Sequence, residues 1–195
     1  DRRGAPAAPR SHLGGRQRAS PPGALVGSGN GPGTGPAPAP SATLADIRIA
    51  SGCTDTNNNN TDFSTGAPTP RNSSQGNICG VGTFTPIPPN VVINEIAWAG
   101  TLASSDDEWI ELYNAGGTDI DISGWRLVAQ DGAPDIIFPS GTTITAGSYF
   151  LLERSREQVT DVPSDFIYFG ALDDTGEILR LRRPDGTIVD TANAN

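Results

Sequence analysis

The carboxylates hold most of the chemistry available to this 195-residue chain. Glu95 and Glu111 lie in two short alternating runs, out of phase with Ile96 and Ile110. If those runs pair as strands, both acids project from one sheet face beside Trp109 and Tyr113. Paired carboxylates next to aromatic rings are what glycoside hydrolysis uses. The same pattern also describes the solvated side of a sheet, with Arg or hydroxyl partners for the acids, and that reading is adopted. No catalytic residue is assigned; a ligand face of Glu95, Trp109, Glu111 and Tyr113 is kept as the alternative.

Oxygen ligands for a hard cation form a second constellation. Asp55, Asn57 and Asn59 occupy positions 1, 3 and 5 of a calcium-type loop, Asp62 follows, and Asp106, Asp107 and Glu108 form another cluster. Asn60 stands where such a loop has Gly, and Gly66 where it has Glu. The expectation is therefore no cofactor, with Ca²⁺ the one candidate. The sole histidine, His12, lies in the N-terminal stretch, so Ser-His-Asp, Cys-His and His-based zinc sites are excluded within this chain. No phosphate loop or GxGxxG occurs.

Cys53 and Cys79 are the only cysteines. Their spacing fits neither a CxxC redox pair nor a four-ligand zinc site, which leaves one disulfide or two free thiols. The disulfide is the reading adopted, and it goes with an extracellular or cell-surface chain.

Composition divides the chain into three parts. Residues 1–40 contain 17 Gly and Pro, five Arg, one Asp and no aromatic, so they cannot offset ordering entropy by burial and read as a disordered tail. Residues 41–89 are rich in Ser, Thr and Asn and end in Pro86-Ile87-Pro88-Pro89, a loop-rich segment and linker. Residues 90–195 hold ten of the twelve aromatics and all three Trp, together with 18 acidic side chains and six Arg. So acidic a domain repels phosphate backbones, which argues against nucleic acid as its partner. No apolar run approaches the roughly 20 residues of a membrane helix. With no methionine, the chain reads as a processed product or a fragment.

From residue 91 onward, short apolar runs recur at 91–98, 108–114, 124–130, 135–138, 148–153, 166–169, 177–182 and 187–191, separated by Gly, Asp, Asn and Pro. They are too short for typical helices, and most alternate with period two. Eight such strands predict an all-β sandwich, with Ile96, Ile110, Leu112, Trp125, Leu127, Leu151, Leu179 and Leu181 in the core. The three Trp read as packing residues rather than as a platform for sugars or bases. Arg183-Pro184-Asp185-Gly186 predicts a tight hairpin between the last two strands. Arg180, Arg182 and Arg183 are expected to pair with neighbouring acids rather than recruit a polyanion.

Several ordered motifs in this half have a familiar form: Ile93-Asn94-Glu95-Ile96, Asp107-Glu108-Trp109-Ile110-Glu111-Leu112-Tyr113-Asn114 and Asp121-Ile122-Ser123-Gly124-Trp125-Arg126-Leu127, followed by Phe138-Pro139 and Ala146-Gly147-Ser148-Tyr149. They resemble the bacterial lamin-tail domain over about 91–191, through Asn94, Glu95, Glu108, Trp109, Glu111, Asn114, Gly124 and Trp125. The resemblance implies an immunoglobulin-like sandwich. It also implies a non-catalytic anchoring, adhesive or binding module of a secreted or surface-attached bacterial protein, partnered by other domains of the same polypeptide or by an extracellular ligand. The alternatives it leaves are an appendage of an extracellular nuclease or other hydrolase, and a carbohydrate- or DNA-binding domain. Residues 41–74, with Gly66-Ala67-Pro68-Thr69-Pro70-Arg71-Asn72, resemble the end of a preceding domain of the same kind. The C-terminal domain itself stops, on this resemblance, before its own exit segment. An orphaned strand at 44–49 would then be free to add to the sandwich edge.

Overall fold

Period-two alternation becomes strands wherever one face can be buried, and all eight expected runs form strands in the computed structural model, which describes residues 35–79, 91–156 and 158–194. The runs give β3 (Val91–Ile96), β4 (Trp109–Asn114), β6 (Arg126–Ala129), β7 (Asp135–Ile137), β9 (Tyr149–Arg154), β10 (Phe166–Tyr168), β11 (Ile178–Arg182) and β12 (Ile188–Asn193). Of four further strands, β1 (Ala45–Arg48) falls on the strand expected at 44–49, while β2 (Phe63–Gly66), β5 (Ile120–Asp121) and β8 (Thr143–Ile144) carried no clear signal in the sequence.

The strands form a six-stranded sheet in the order β10-β9-β4-β3-β1-β2, a four-stranded sheet in the order β12-β11-β6-β7, and the small pair β5-β8. The two larger sheets enclose one apolar core, and all eight core residues expected from the pattern are buried in the protein. Most of them, with Trp98, Phe138, Phe150 and Val189, make up the layer between the sheets. Leu151 is the exception, packing with Ala45, Ala97, Trp109 and Val159 on the outer side of the large sheet. The hairpin between β11 and β12 closes through the Gly186 and Arg183 N–H groups, which donate to Arg183 O and Thr187 O. Gly186 takes φ +85, the left-handed conformation for which its position was read.

Two expectations change. The outer face of β4, read as solvated, is covered, and every residue from Trp109 to Asn114 is buried. The cover is residues 41–79, so the segment read as a loop-rich neighbour contributes β1 and β2 to the same sheet. β1 pairs antiparallel with β3 through Asp46↔Ile96 and Ile47↔Glu95, the edge addition anticipated for 44–49. The end of the stretch read as a disordered tail is also packed: Ala37 is buried in the core and donates its N–H to Asn193 O at 2.6 Å. The rest of that stretch through 34, with His12, and the proline linker 86–89 lie outside the described residues.

Candidate functional site

Glu95 and Glu111 are direct register partners across β3 and β4. A β-bulge places them there. The register shifts between Ile93 and Glu95, so Asn94 is the extra residue, and its Nδ2 donates to Glu111 Oε1 at 2.6 Å. Both acids are fully buried, which corrects the solvated-face reading. Their expected partners, a hydroxyl and an arginine, are both present and both come from the covering segment. Thr69 donates its N–H and Oγ1–H to the two oxygens of Glu95 at 2.7 and 2.9 Å. Arg71 donates its backbone N–H to one oxygen of Glu111 and Nη2 to the other, the latter at 3.1 Å. The Arg71 guanidinium also lies 3.9 Å over the Tyr149 ring and donates to the Tyr149 hydroxyl at 2.8 Å.

Electrostatics at this pair favour protons. Burial pushes Glu111 up to about 8, with Arg71 pulling against it and Glu95 adding to it. Burial also raises Glu95, opposed by the Thr69 hydrogen bonds and by Arg71. Burial therefore favours the protonated form of both acids, against the pull of one partly exposed guanidinium. Of the expected ligand face, Tyr113 packs on Tyr149 at 4.6 Å and donates to Asn77 O, and Trp109 is buried beside Ala45 and Leu151. Neither ring is open to a ligand, and the same burial holds for Trp98, which donates Nε1–H to Asp46 at 2.8 Å, and for Trp125.

The covering segment is held by further bonds along its length. Asn72 Nδ2 donates to Pro163 O at 2.7 Å, Ser73 donates to Asp165, and the Asn77 N–H donates to Gly147 O at 2.7 Å. Cys53 and Cys79 form a disulfide beside Tyr113, as expected. At Gly52, with φ +86, an added Cβ would lie 2.5 Å from Tyr113 Cδ1 and 2.7 Å from Asn94 Oδ1. Only glycine lets the chain approach so closely in that conformation.

The calcium expectation meets a different cation. Asp55 and Asp62 converge on the Arg48 guanidinium, at 3.4 and 3.8 Å from Nη1, while Asp190 meets Nη2 at 2.8 Å. Asp62 also accepts from the Thr56 N–H and Oγ1–H and from the Asn58 N–H. Asn57, at φ 59, turns its N–H onto Asp55; Asn59 is buried, and its side-chain amide has no hydrogen-bond partner among the described residues. The second cluster is likewise met by arginines: Asp106 and Glu108 lie 3.1 and 2.7 Å from Arg154 Nη1, and Asp107 pairs with Arg156. Among the described residues, no group of three or more His, Cys, Asp or Glu is arranged to hold a metal ion. Of the remaining motif residues, Asn114 bridges Thr118 O and Ile144 O through Nδ2, and Gly124 provides a φ of +72 before Trp125.

Two features escaped the sequence reading or depart from it. Asp131, Asp173 and Glu177 line a 510 Å³ cleft with Gln130 and Ile178, and burial raises Glu177 to about 7. No periodicity links these acids, because Asp131 comes from one turn and Asp173 and Glu177 from another. The three arginines expected to find acids do not: among the described residues, Arg180, Arg182 and Arg183 have no carboxylate within 4.0 Å. Arg180 instead reaches Gln130 Oε1 at 3.4 Å, and Arg183 lies 5.6 Å over the Trp125 ring.

The family model that matches is the Lamin Tail Domain, over residues 85–195. The chain belongs to the lamin tail domain family. No curated protein matches it. The match covers the sandwich from just before β3 and leaves β1, β2 and the rest of the covering segment outside. None of the described helices is long and apolar enough to cross a membrane.

Proposed function

We propose that this lamin tail domain chain is a non-catalytic interaction module, serving anchoring, adhesion or ligand binding within a larger secreted or surface-attached bacterial protein. The observation that carries the reading is the closure of Glu95 and Glu111. This carboxylate pair, with its aromatic neighbours, is fully buried beneath the segment that carries Thr69 and Arg71. The disulfide supports an oxidising compartment, where such bonds form and persist. The family match supports a module that works beside other domains. An appendage of an extracellular hydrolase fits the same observations, since the catalytic residues would then lie in another domain.

The test is a screen of the full chain against glycosides, phosphodiesters and esters. No turnover is expected. Turnover abolished by Glu111→Gln, or by Glu177→Gln in the open cleft, would make this an enzyme.

A second reading rests on Arg180, Arg182 and Arg183, cations without a carboxylate partner among the described residues of a strongly acidic domain. They would hold a small anionic group of a partner. Retention on heparin that falls with salt and disappears in the triple Ala variant would support it; flow-through at low salt would exclude it.

A further inference from the structure

The covering segment is built as a separate piece. Cys53 and Cys79 both belong to it, so its covalent ring closes on itself and never crosses to the sandwich. It carries its own hairpin, with β1 and β2 paired from Ala45↔Gly66 to Arg48↔Phe63. It also lies before residue 85, where the family match begins. Only residues 80–90 join it covalently to β3, and eleven extended residues reach roughly 36–40 Å. That is about the diameter of a domain of 100 residues.

The sandwich, for its part, offers a receptor. The edge of β3 within the sandwich is filled by β1 of the segment, and beside that edge two acids stand in register on one face. Two carboxyl groups buried directly across a sheet need hydrogen-bond donors, and a cation once either is ionised, so this face takes both from elsewhere. Thr69 and Arg71 supply them from alternate positions of an extended chain, which places both on the same side. Pro70 between them has no N–H to leave unpaired and fixes the extended backbone.

We propose that the outer face of the six-stranded sheet, centred on Glu95 and Glu111, is a peptide-acceptor site read by a Thr-x-Arg segment, and that the disulfide-closed segment of a second copy of this chain takes the place of the chain's own. The tether sets which occupant wins. At low concentration the chain's own segment has the higher effective concentration; at high concentration, or after unfolding and refolding, exchange links two copies through the same contacts. The site is independent of whether the module has catalytic activity.

The experiment uses the full chain with a specific protease site placed within 80–90, prepared isotopically labelled and unlabelled, and cut. Native mass spectrometry then follows the pieces. The two halves are expected to remain one complex after cutting. Mixing labelled and unlabelled complexes through a mild denaturation and refolding step should give hybrids. Arg71→Ala in the segment, or Glu111→Gln in the sandwich, should weaken retention of the segment at least tenfold, while Ser64→Ala, an exposed change on β2 of the same segment, leaves it intact. Halves that separate on cutting would overturn the proposal, as would the absence of hybrids. Equal retention of the Arg71→Ala segment would remove Glu95 and Glu111 as the recognition centre. Hydrolytic activity in the uncut chain would overturn the non-catalytic reading alone.

Discussion

Arg48 and Asp190 stand 142 residues apart in sequence and 2.8 Å apart in the structure, and neither side chain has any exposed surface. The pair joins β1 of the covering segment to β12 of the opposite sheet. Arg48 also donates Nε–H to Ile93 O at 2.9 Å, and the Ile93 N–H donates to Asp190 at 2.7 Å. One guanidinium therefore stitches three strands together. Removing it leaves buried acids without a counter-charge, and breaking a buried pair on one side costs about 3–5 kcal/mol. Arg48→Met is expected to lower the denaturant midpoint accordingly. A midpoint unchanged from the parent would show that this network contributes nothing to stability.

The same guanidinium bears on calcium. Asp55 and Asp62, the two acids of the expected loop, already face a cation that the chain supplies. Excess EDTA is therefore expected to leave the thermal midpoint where it is, and added Ca²⁺ to leave it too. A rise with Ca²⁺ that disappears in Asp62→Asn would show that the ion competes for these oxygens.

Reduction of Cys53–Cys79 releases a loop whose ends are 26 residues apart in sequence. On chain-entropy grounds the bond contributes about 3–4 kcal/mol. The Cys53→Ser/Cys79→Ser protein is expected to unfold at lower denaturant, with 67–79 as its first protease-sensitive stretch. Gly52→Ala strikes the same seam, since its Cβ would collide with Tyr113 and Asn94 of the sandwich. A non-glycine residue held in that left-handed conformation costs about 1–3 kcal/mol before any clash is counted. Full stability in both variants would mean that the segment does not depend on this seam.

The sequence revealed the strands because each apolar phase is a local property. Ile110 and Leu112, or Leu179 and Leu181, mark a core face from their own spacing. It also put Glu95 and Glu111 on one side, since each adjoins a core isoleucine, Ile96 and Ile110, but the bulge at Asn94 that sets them in direct register left no signal. It failed on what lies above them. Trp109, Glu111 and Tyr113 alternate with apolar residues just as a solvated face would, and the residue that closes them, Arg71, is 40 positions upstream with no periodicity linking the two. Oxygen spacing at Asp55, Asn57 and Asn59 was likewise legible, but no spacing rule shows that Arg48 occupies the centre. β5 and β8 were missed because two-residue strands leave no alternation to read.

The three tryptophans supply an optical test of the binding reading. Trp98, Trp109 and Trp125 are all buried, so their emission is expected to be blue-shifted and poorly quenched by iodide. Soluble glycans and single-stranded DNA should leave it unchanged, because no indole face is open for stacking. A saturable change with either ligand would mean that the covering segment moves aside when ligand binds.

Acid-base behaviour gives the last expectation, and its sign is the reverse of ordinary acid denaturation. Burial raises Glu111 to about 8, Glu108 and Glu177 each to about 7, and Asp46 to about 6. The folded chain therefore holds protons that the unfolded chain has released between the ordinary carboxylate range and pH 8. Stability must fall as pH rises through that window, because the folded state binds more protons there. Asp121, Asp135, Asp173 and Asp185 are shifted down by hydrogen bonds from their neighbours, so whatever they contribute is lost only as pH falls below the ordinary carboxylate range. The thermal midpoint is thus expected to peak near the ordinary carboxylate range and decline toward pH 8. Glu111→Gln, which keeps the shape and removes the ionisation, should flatten the upper part of that decline. A midpoint that rises steadily from pH 5 to 8, with the same slope in Glu111→Gln, would mean that water reaches the Glu95 and Glu111 pair and that the covering segment does not seal it.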